Sequence, residues 1–216
     1  MKATAEYTGE DKDCYKNTSI EISITRKEAE QSGGNDQPGA GEQKAAAVGE
    51  VIDDANGDGQ YKVTSDDPKN PTVSYEGSKD QTAKKIIIPK TIRYNGVTYT
   101  VTSVSNGALA NHKSATEITV GDNVETIGDN AFAGCKYVTR IVIPKKTRKI
   151  GKFAFKGNPK LKWIIVKTKK LTQKTVAKKA FKGVGKKVKI KVPKAKKKAY
   201  KQLFRKKGLS KKVRIK

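Results

Sequence analysis

The chain has 216 residues, of which 35% are hydrophobic, and a formal net charge of +26. That is low but sufficient apolar material for a core, and a length for one ordinary domain plus a fragment, or for two small domains. Three classes are excluded: no run of about 18 apolar residues makes a transmembrane helix, the opening MKATAEYTGEDKD has no apolar stretch of a signal peptide, and the distant Cys14 and Cys135 make neither a disulfide framework nor a zinc site.

The charge is unevenly spread. From Thr139 to Lys216 there are 32 Lys and Arg and no acid, leaving 15 basic and 21 acidic residues before it. A mildly acidic front therefore joins a strongly basic tail, which points to an anionic partner for the tail.

Taken in chain order, residues 1–30 give two strands. ATAEYTG is the first, and TSIEISITRK alternates Ile20, Ile22 and Ile24 with Glu21, Ser23 and Thr25, the pattern of a half-buried strand. A lone hairpin has no second layer to cover its apolar face. The stretch resembles the closing two strands of a bacterial immunoglobulin-like domain, which implies that this chain is a C-terminal piece of a longer protein; the alternative is a short N-terminal hairpin that docks on the rest. Residues 31–47, QSGGNDQPGAGEQKAAA, read as a flexible linker, being small and polar with no period.

Strands resume with QYKVTS and TVSYEG, separated by the turn DDPKNP. KKIIIPKTI is a short apolar strand stopped by Pro89. In IRYNGVTYTVTSV, Asn95-Gly96 fits the two positive-φ positions of a type I′ hairpin turn.

A repeat then takes over. Leu109, Phe132, Phe155 and Phe181 recur at spacings of 23, 23 and 26 residues. Each is preceded directly by an alanine (Ala108, Ala131, Ala154, Ala180) and, five residues back, by Val104, Ile127, Ile150 or Val176. Nine residues on come Ile118, Ile141, Ile164 and Ile190, each followed two later by a β-branched residue. Partial copies open the array at IIIP (86–89) and close it at KIKVPK (189–194). One such unit cannot bury its own Ile, Val and Phe. Stacked units can, with like residues in ladders. Gly134, Gly157 and Gly183, two past each Phe, are expected to relax the backbone at the end of the turn. Cys135 is read as a core thiol.

These residues, in VETIGDNAFAGCKYVTRIVIPKKTRKIGKFAFKGNPKL, resemble the BspA-type leucine-rich repeat of bacterial surface proteins, in which I-x-IP…V-x-x-IG-x-x-AF-x-x-C recurs at this period. The resemblance implies a mainly β, right-handed solenoid with short helical turns, an N-terminal β-hairpin cap and a C-terminal helix/strand cap. It places repeats at about 84–115, 116–138, 139–161 and 162–188, with the cap at 189–216, inside a domain of 48–216. The third spacing carries three extra residues around TKKLTQK, a departure from the pattern. In VPKAKKKAYKQLFRKKG, Pro193 suits a helix start and Gly208 its end, and Tyr200, Leu203 and Phe204 share one face that would seal the last coil. KKVRIK offers a final strand.

Candidate chemistry is sparse. Asp54, Asn56, Asp58 and Gly59 match the start of a calcium loop, but its twelfth position is Ser65 rather than a bidentate Glu and its flanks are strands, so the stretch reads as a plain turn and no metal is assigned. His112, the sole histidine, reads as a solvated loop residue. No catalytic constellation or cofactor motif is present. The lysine field is the strongest functional cue, on positions that change between copies: Lys152, Lys156, Lys167, Lys169 and Lys170. It reads equally as a solvated surface that keeps an edge-rich β protein soluble and as a patch for anionic polymers, with Trp163 either an exposed anchor or packed at a strand edge. The residues lead to the expectation of a non-enzymatic binding or structural module, monomeric, with a protein or an anionic cell-wall or host polysaccharide as partner and no cofactor; the resemblance implies adhesion and an extracellular location. The alternative is an intracellular nucleic-acid binder using the basic half, disfavoured because Arg, which supplies bidentate base contacts, is scarce beside Lys.

Overall fold

The computed structural model describes residues 44–54 and 57–216. The hairpin expected at 1–30 and most of the linker at 31–47 lie outside the described residues. The described end of that linker runs along the core: Ala45 and Ala46 pack on it, and the Ala46 N–H donates to the Tyr99 hydroxyl at 2.6 Å.

The first elements among the described residues are three antiparallel strands, β1 (Val51–Asp53), β2 (Gly59–Ser65) and β3 (Thr72–Ser78). The cap thus has one strand more than the expected hairpin. β4 (Lys85–Ile88) follows, then β5 (Thr91–Tyr94) and β6 (Val97–Val104), paired antiparallel across a turn in which Asn95 has φ 46° and Gly96 φ 80°. Two positive φ values in sequence are what a two-residue hairpin requires and what Asn-Gly tolerates.

From here each coil gives one strand to each of two sheets. The first sheet takes β8 (Thr126–Ile127) and β10 (Lys149–Ile150) after β6, all parallel, and ends in a single bridge from Ile150 to Val176. The second takes β7 (Glu117–Val120), β9 (Arg140–Ile143), β11 (Trp163–Val166), β12 (Lys189–Lys191) and β13 (Arg214–Ile215) after β4, again all parallel.

The register makes the repeat physical. Val104, Ile127, Ile150 and Val176 are cross-strand partners in the first sheet. Ile86, Ile118, Ile141, Ile164, Ile190 and Ile215 are successive partners in the second. All but Ile215 are buried. Each fully buried Ile or Val contributes about 1.5–3 kcal/mol of transfer free energy.

The anchor aromatics form a third, fully buried ladder. Phe132 and Phe155 stack at 6.0 Å between ring centroids and Phe155 and Phe181 at 5.4 Å, and Phe181 meets a tilted Phe204 at 4.3 Å. Phe204 belongs to the cap helix α1 (Lys197–Lys206), which follows a short 3-10 turn at Lys194–Lys196, so the helix supplies the ladder's last rung as well as its lid. The three extra residues of the third spacing have a use here. They form a loop whose Leu171 N–H donates to the Tyr200 hydroxyl and whose Thr168 carbonyl accepts from it, both at 3.1 Å. The longer loop makes room for a tyrosine from the cap.

Candidate functional site

The coil turns rest on backbone that few side chains adopt. Two residues past the anchor, Asn111, Gly134, Gly157 and Gly183 have φ between 61° and 82°, as expected of the glycines. Two residues before it, Gly107, Asn130, Phe153 and Lys179 are also left-handed. Phe153, at φ 55°, is a bulky residue where glycine or asparagine is the natural choice, and such strain marks a place to look for function. Its ring lies under two lysines of the candidate surface, Lys156 Nζ at 5.1 Å and Lys152 Nζ at 5.7 Å. The sequence reading passed over Phe153 because it counted only the next aromatic, Phe155. Comparing position minus two across copies would have exposed it.

Trp163 opens β11 on the outward side and is half-buried. Lys189 Nζ and Lys216 Nζ lie 5.4 and 5.7 Å from its ring centroid, and Arg140 and Lys189 are its cross-strand neighbours. Outward beside it, Ile87, Thr119, Val142 and Ile165 alternate with the buried ladder, and Ile87 is 62% exposed. Lys167, Lys169 and Lys170 are exposed in the loop that leaves β11, and Lys152 and Lys156 are exposed in the turn after β10. The candidate residues thus fall on three parts of the coil: the outer strand face, the loop leaving it and the turn around Phe153. A further exposed aromatic, Tyr137, has Lys160 Nζ at 4.4 Å, one coil on.

His112 corrects the sequence reading. It is 1% exposed, not solvated. Its Nδ1 accepts the Ala115 N–H at 3.1 Å, which leaves the proton on Nε2 to donate to the Asp80 carbonyl at 3.1 Å. The reason is register. His112 stands three residues past Leu109, as Cys135 does past Phe132 and Asn158 past Phe155, and this slot points inward at unpaired turn backbone. Asn158 accepts the Cys135 N–H at 2.7 Å and donates to the carbonyls of Phe132 and Phe155 at 2.9 and 3.2 Å. The Cys135 thiol donates to the Leu109 carbonyl at 3.0 Å.

Burial pushes that thiol up to about 11. Since the thiolate is the nucleophile, Cys135 in a Cys14→Ser variant is expected to resist a disulfide reagent at pH 8 until urea unfolds the chain. Rapid reaction of the folded protein would place the thiol at the surface.

Asp129 also has a structural use that its variability concealed. Asn106 Oδ1 accepts the Asp129 N–H at 2.7 Å, and Asp129 Oδ1 accepts the Lys152 N–H at 2.6 Å. Side chains of successive coils thus bind the backbone of the next, until Lys152, which has no oxygen to offer.

At the other end, Asp54 and Asp58 line a cavity of about 340 Å3 with Tyr61, Tyr75 and Lys85, while Asn56 lies outside the described residues. Burial, and then the Asp54 charge, raise the Tyr61 hydroxyl well above its ordinary value. Burial, then Tyr61 and Asp58, do the same to Tyr75. Among the described residues no group of three or more His, Cys, Asp or Glu could hold a metal ion, and no helix is long and apolar enough to cross a membrane.

The repeat register decides the relationship: the model of the BspA type leucine rich repeat region matches residues 85–210 in six copies. The chain belongs to the BspA-type leucine-rich-repeat family. The two partial copies read at 86–89 and 189–194 accord with that count. No curated protein matches. Among solved structures, similar chains include the pneumococcal vaccine antigen PcpA (TM-score 0.43, 20% identity, covering 68% of this chain and 47% of that one). Others are a leucine-rich repeat protein from Bacteroides capillosus (TM-score 0.39, 18% identity, 54% and 97%) and a leucine rich cell surface protein from Faecalibacterium prausnitzii (0.27, 13%, 66% and 54%). This BspA-type chain therefore spans less than half the length of the pneumococcal antigen.

Proposed function

We propose that this BspA-type protein is a non-enzymatic binding module of a bacterial cell surface, and that its lysine-rich coils take up anionic polymers of the cell envelope or of host glycans. The observation that carries the reading is charge without an internal partner. No acid follows Asp129. Among the described residues two ion pairs are seen, Lys79–Asp53 at 2.5 Å and Arg148–Glu125, and only the second reaches past residue 138. The core consumes Ile, Val, Ala and Phe and leaves the lysines on the outside, where they raise the local concentration of an anion and gain from counterion release. Trp163, Phe153 and Tyr137, each beside a lysine, supply flat apolar faces next to charge, a pairing suited to sugar rings that bear acidic groups.

The test is chromatography of the full chain on immobilised heparin and on cell-wall polymer. Retention is expected at low ionic strength and release well below about 1 M salt, where the screening length falls to about 3 Å. Passage without retention at low salt would contradict the reading. Retention that survives 1 M salt would mean the contact is not electrostatic.

A further inference from the structure

We infer that the cap helix carries a second site, distinct from the coil lysines, that takes a chain of phosphate groups and grips it through Arg205. Among the described residues, Arg205 Nη1 is the sole buried side-chain nitrogen or oxygen with no hydrogen-bond partner. The guanidinium is not loose. Its Nη2 donates to the Val213 carbonyl at 2.9 Å, which fixes the plane and leaves the other arm of the fork idle. A buried donor without an acceptor is unfavourable, and a charged one more so, so an oxyanion that reaches it gains a charge-assisted bond.

The surroundings suit one ligand chemistry. Arg205 shares the outer face of α1 with Lys198, Lys201, Gln202 and Lys206, all four exposed and none acidic. The opposite face of the helix, Tyr200, Leu203 and Phe204, is buried in the core, so this charged face is held in place. From Lys198 to Arg205 is two helical turns, about 10 Å at about 1.5 Å per residue. One carboxylate brings a single charge to four cations. Adjacent phosphate groups bring several over that length and offer oxygens to both the fork and the ammonium groups. The exposed lysine stems are long and mobile, so their ammonium groups can follow the spacing of the phosphate groups.

The experiment is calorimetric titration of the full chain with inorganic tripolyphosphate at about 50 mM salt, where phosphate contacts are strong. Binding is expected, with inorganic phosphate at least about tenfold weaker. Arg205→Lys keeps the charge but loses the fork and is expected to weaken tripolyphosphate about tenfold. The exposed triple change K198Q/K201Q/K206Q, which leaves the packed face untouched, is expected to do the same. The coil change K152Q/K156Q is expected to leave the affinity within about twofold, even if it abolishes heparin retention, so this site and the coil surface can fail separately. The inference is overturned if the wild type does not bind, if both cap variants bind like it, if inorganic phosphate binds as tightly as the chain, or if polyglutamate of equal charge competes as well as tripolyphosphate.

Discussion

Replacing Phe155 by Ala is expected to cost about 3–5 kcal/mol, the range for truncating a large buried aromatic. Phe155 is fully buried and stacks on Phe132 on one side and Phe181 on the other, so its loss opens a cavity in the middle of the ladder and breaks two ring contacts at once. Neighbouring coils touch only each other, and no distant part of the fold can fill the gap. Against a total stability of about 5–15 kcal/mol, that is a large fraction. Urea unfolding followed by circular dichroism would show the midpoint fall. A shift no larger than that of an exposed substitution would mean that the rings are not stacked as described.

The second large effect belongs to a residue with no side chain. Gly151 directly follows Ile150, as Gly128 follows Ile127. A methyl at Gly151 would overlap the backbone of Gly128 and Asp129 in the coil before, and one at Gly128 would lie 2.6 Å from the Asn106 nitrogen. Gly151→Ala is expected to destabilise by about 3 kcal/mol, the upper end of overpacking, because backbone rather than a flexible side chain must yield. Gly185 is the control: an added methyl there meets only Val188 Cγ2, at 3.7 Å. Gly185→Ala is expected to be neutral or stabilising by up to about 1 kcal/mol, through the unfolded chain. Equal effects at the two sites would contradict the close approach of successive coils.

The ladder was readable in the letters because a solenoid turns a fixed spacing into a fixed neighbour. Ile127 meets Ile150 since both sit at one phase of the coil. The Asn95-Gly96 turn and the cap helix, which lies between Pro193 and Gly208, were equally local in their signals. What the letters did not carry was direction across the coil. His112 sits in a polar-looking loop, yet its slot faces inward. Asp129 changes to Lys152 one copy on, yet its carboxylate holds the next coil's backbone. Tyr200 reaches into the inserted loop at Leu171, a contact between residues 29 apart with no period to announce it. The candidate surface was legible as charge and only partly as geometry. Trp163 and the five lysines are on the outside, but Phe153, Lys189 and Lys216, which stand against them, become visible only when the coils are stacked.

The central claim is that the constant positions build the fold and the variable lysines do the binding. Replacing Lys152, Lys156, Lys167, Lys169 and Lys170 together by Gln tests both halves in one protein. All five are exposed, and exposed substitutions usually change stability by less than about 0.5 kcal/mol each. Measured side by side with the wild type on the heparin column, with thermal unfolding as the check on folding, the variant should unfold at nearly the same temperature and elute at much lower salt. An unchanged elution position with the fold intact would contradict the account.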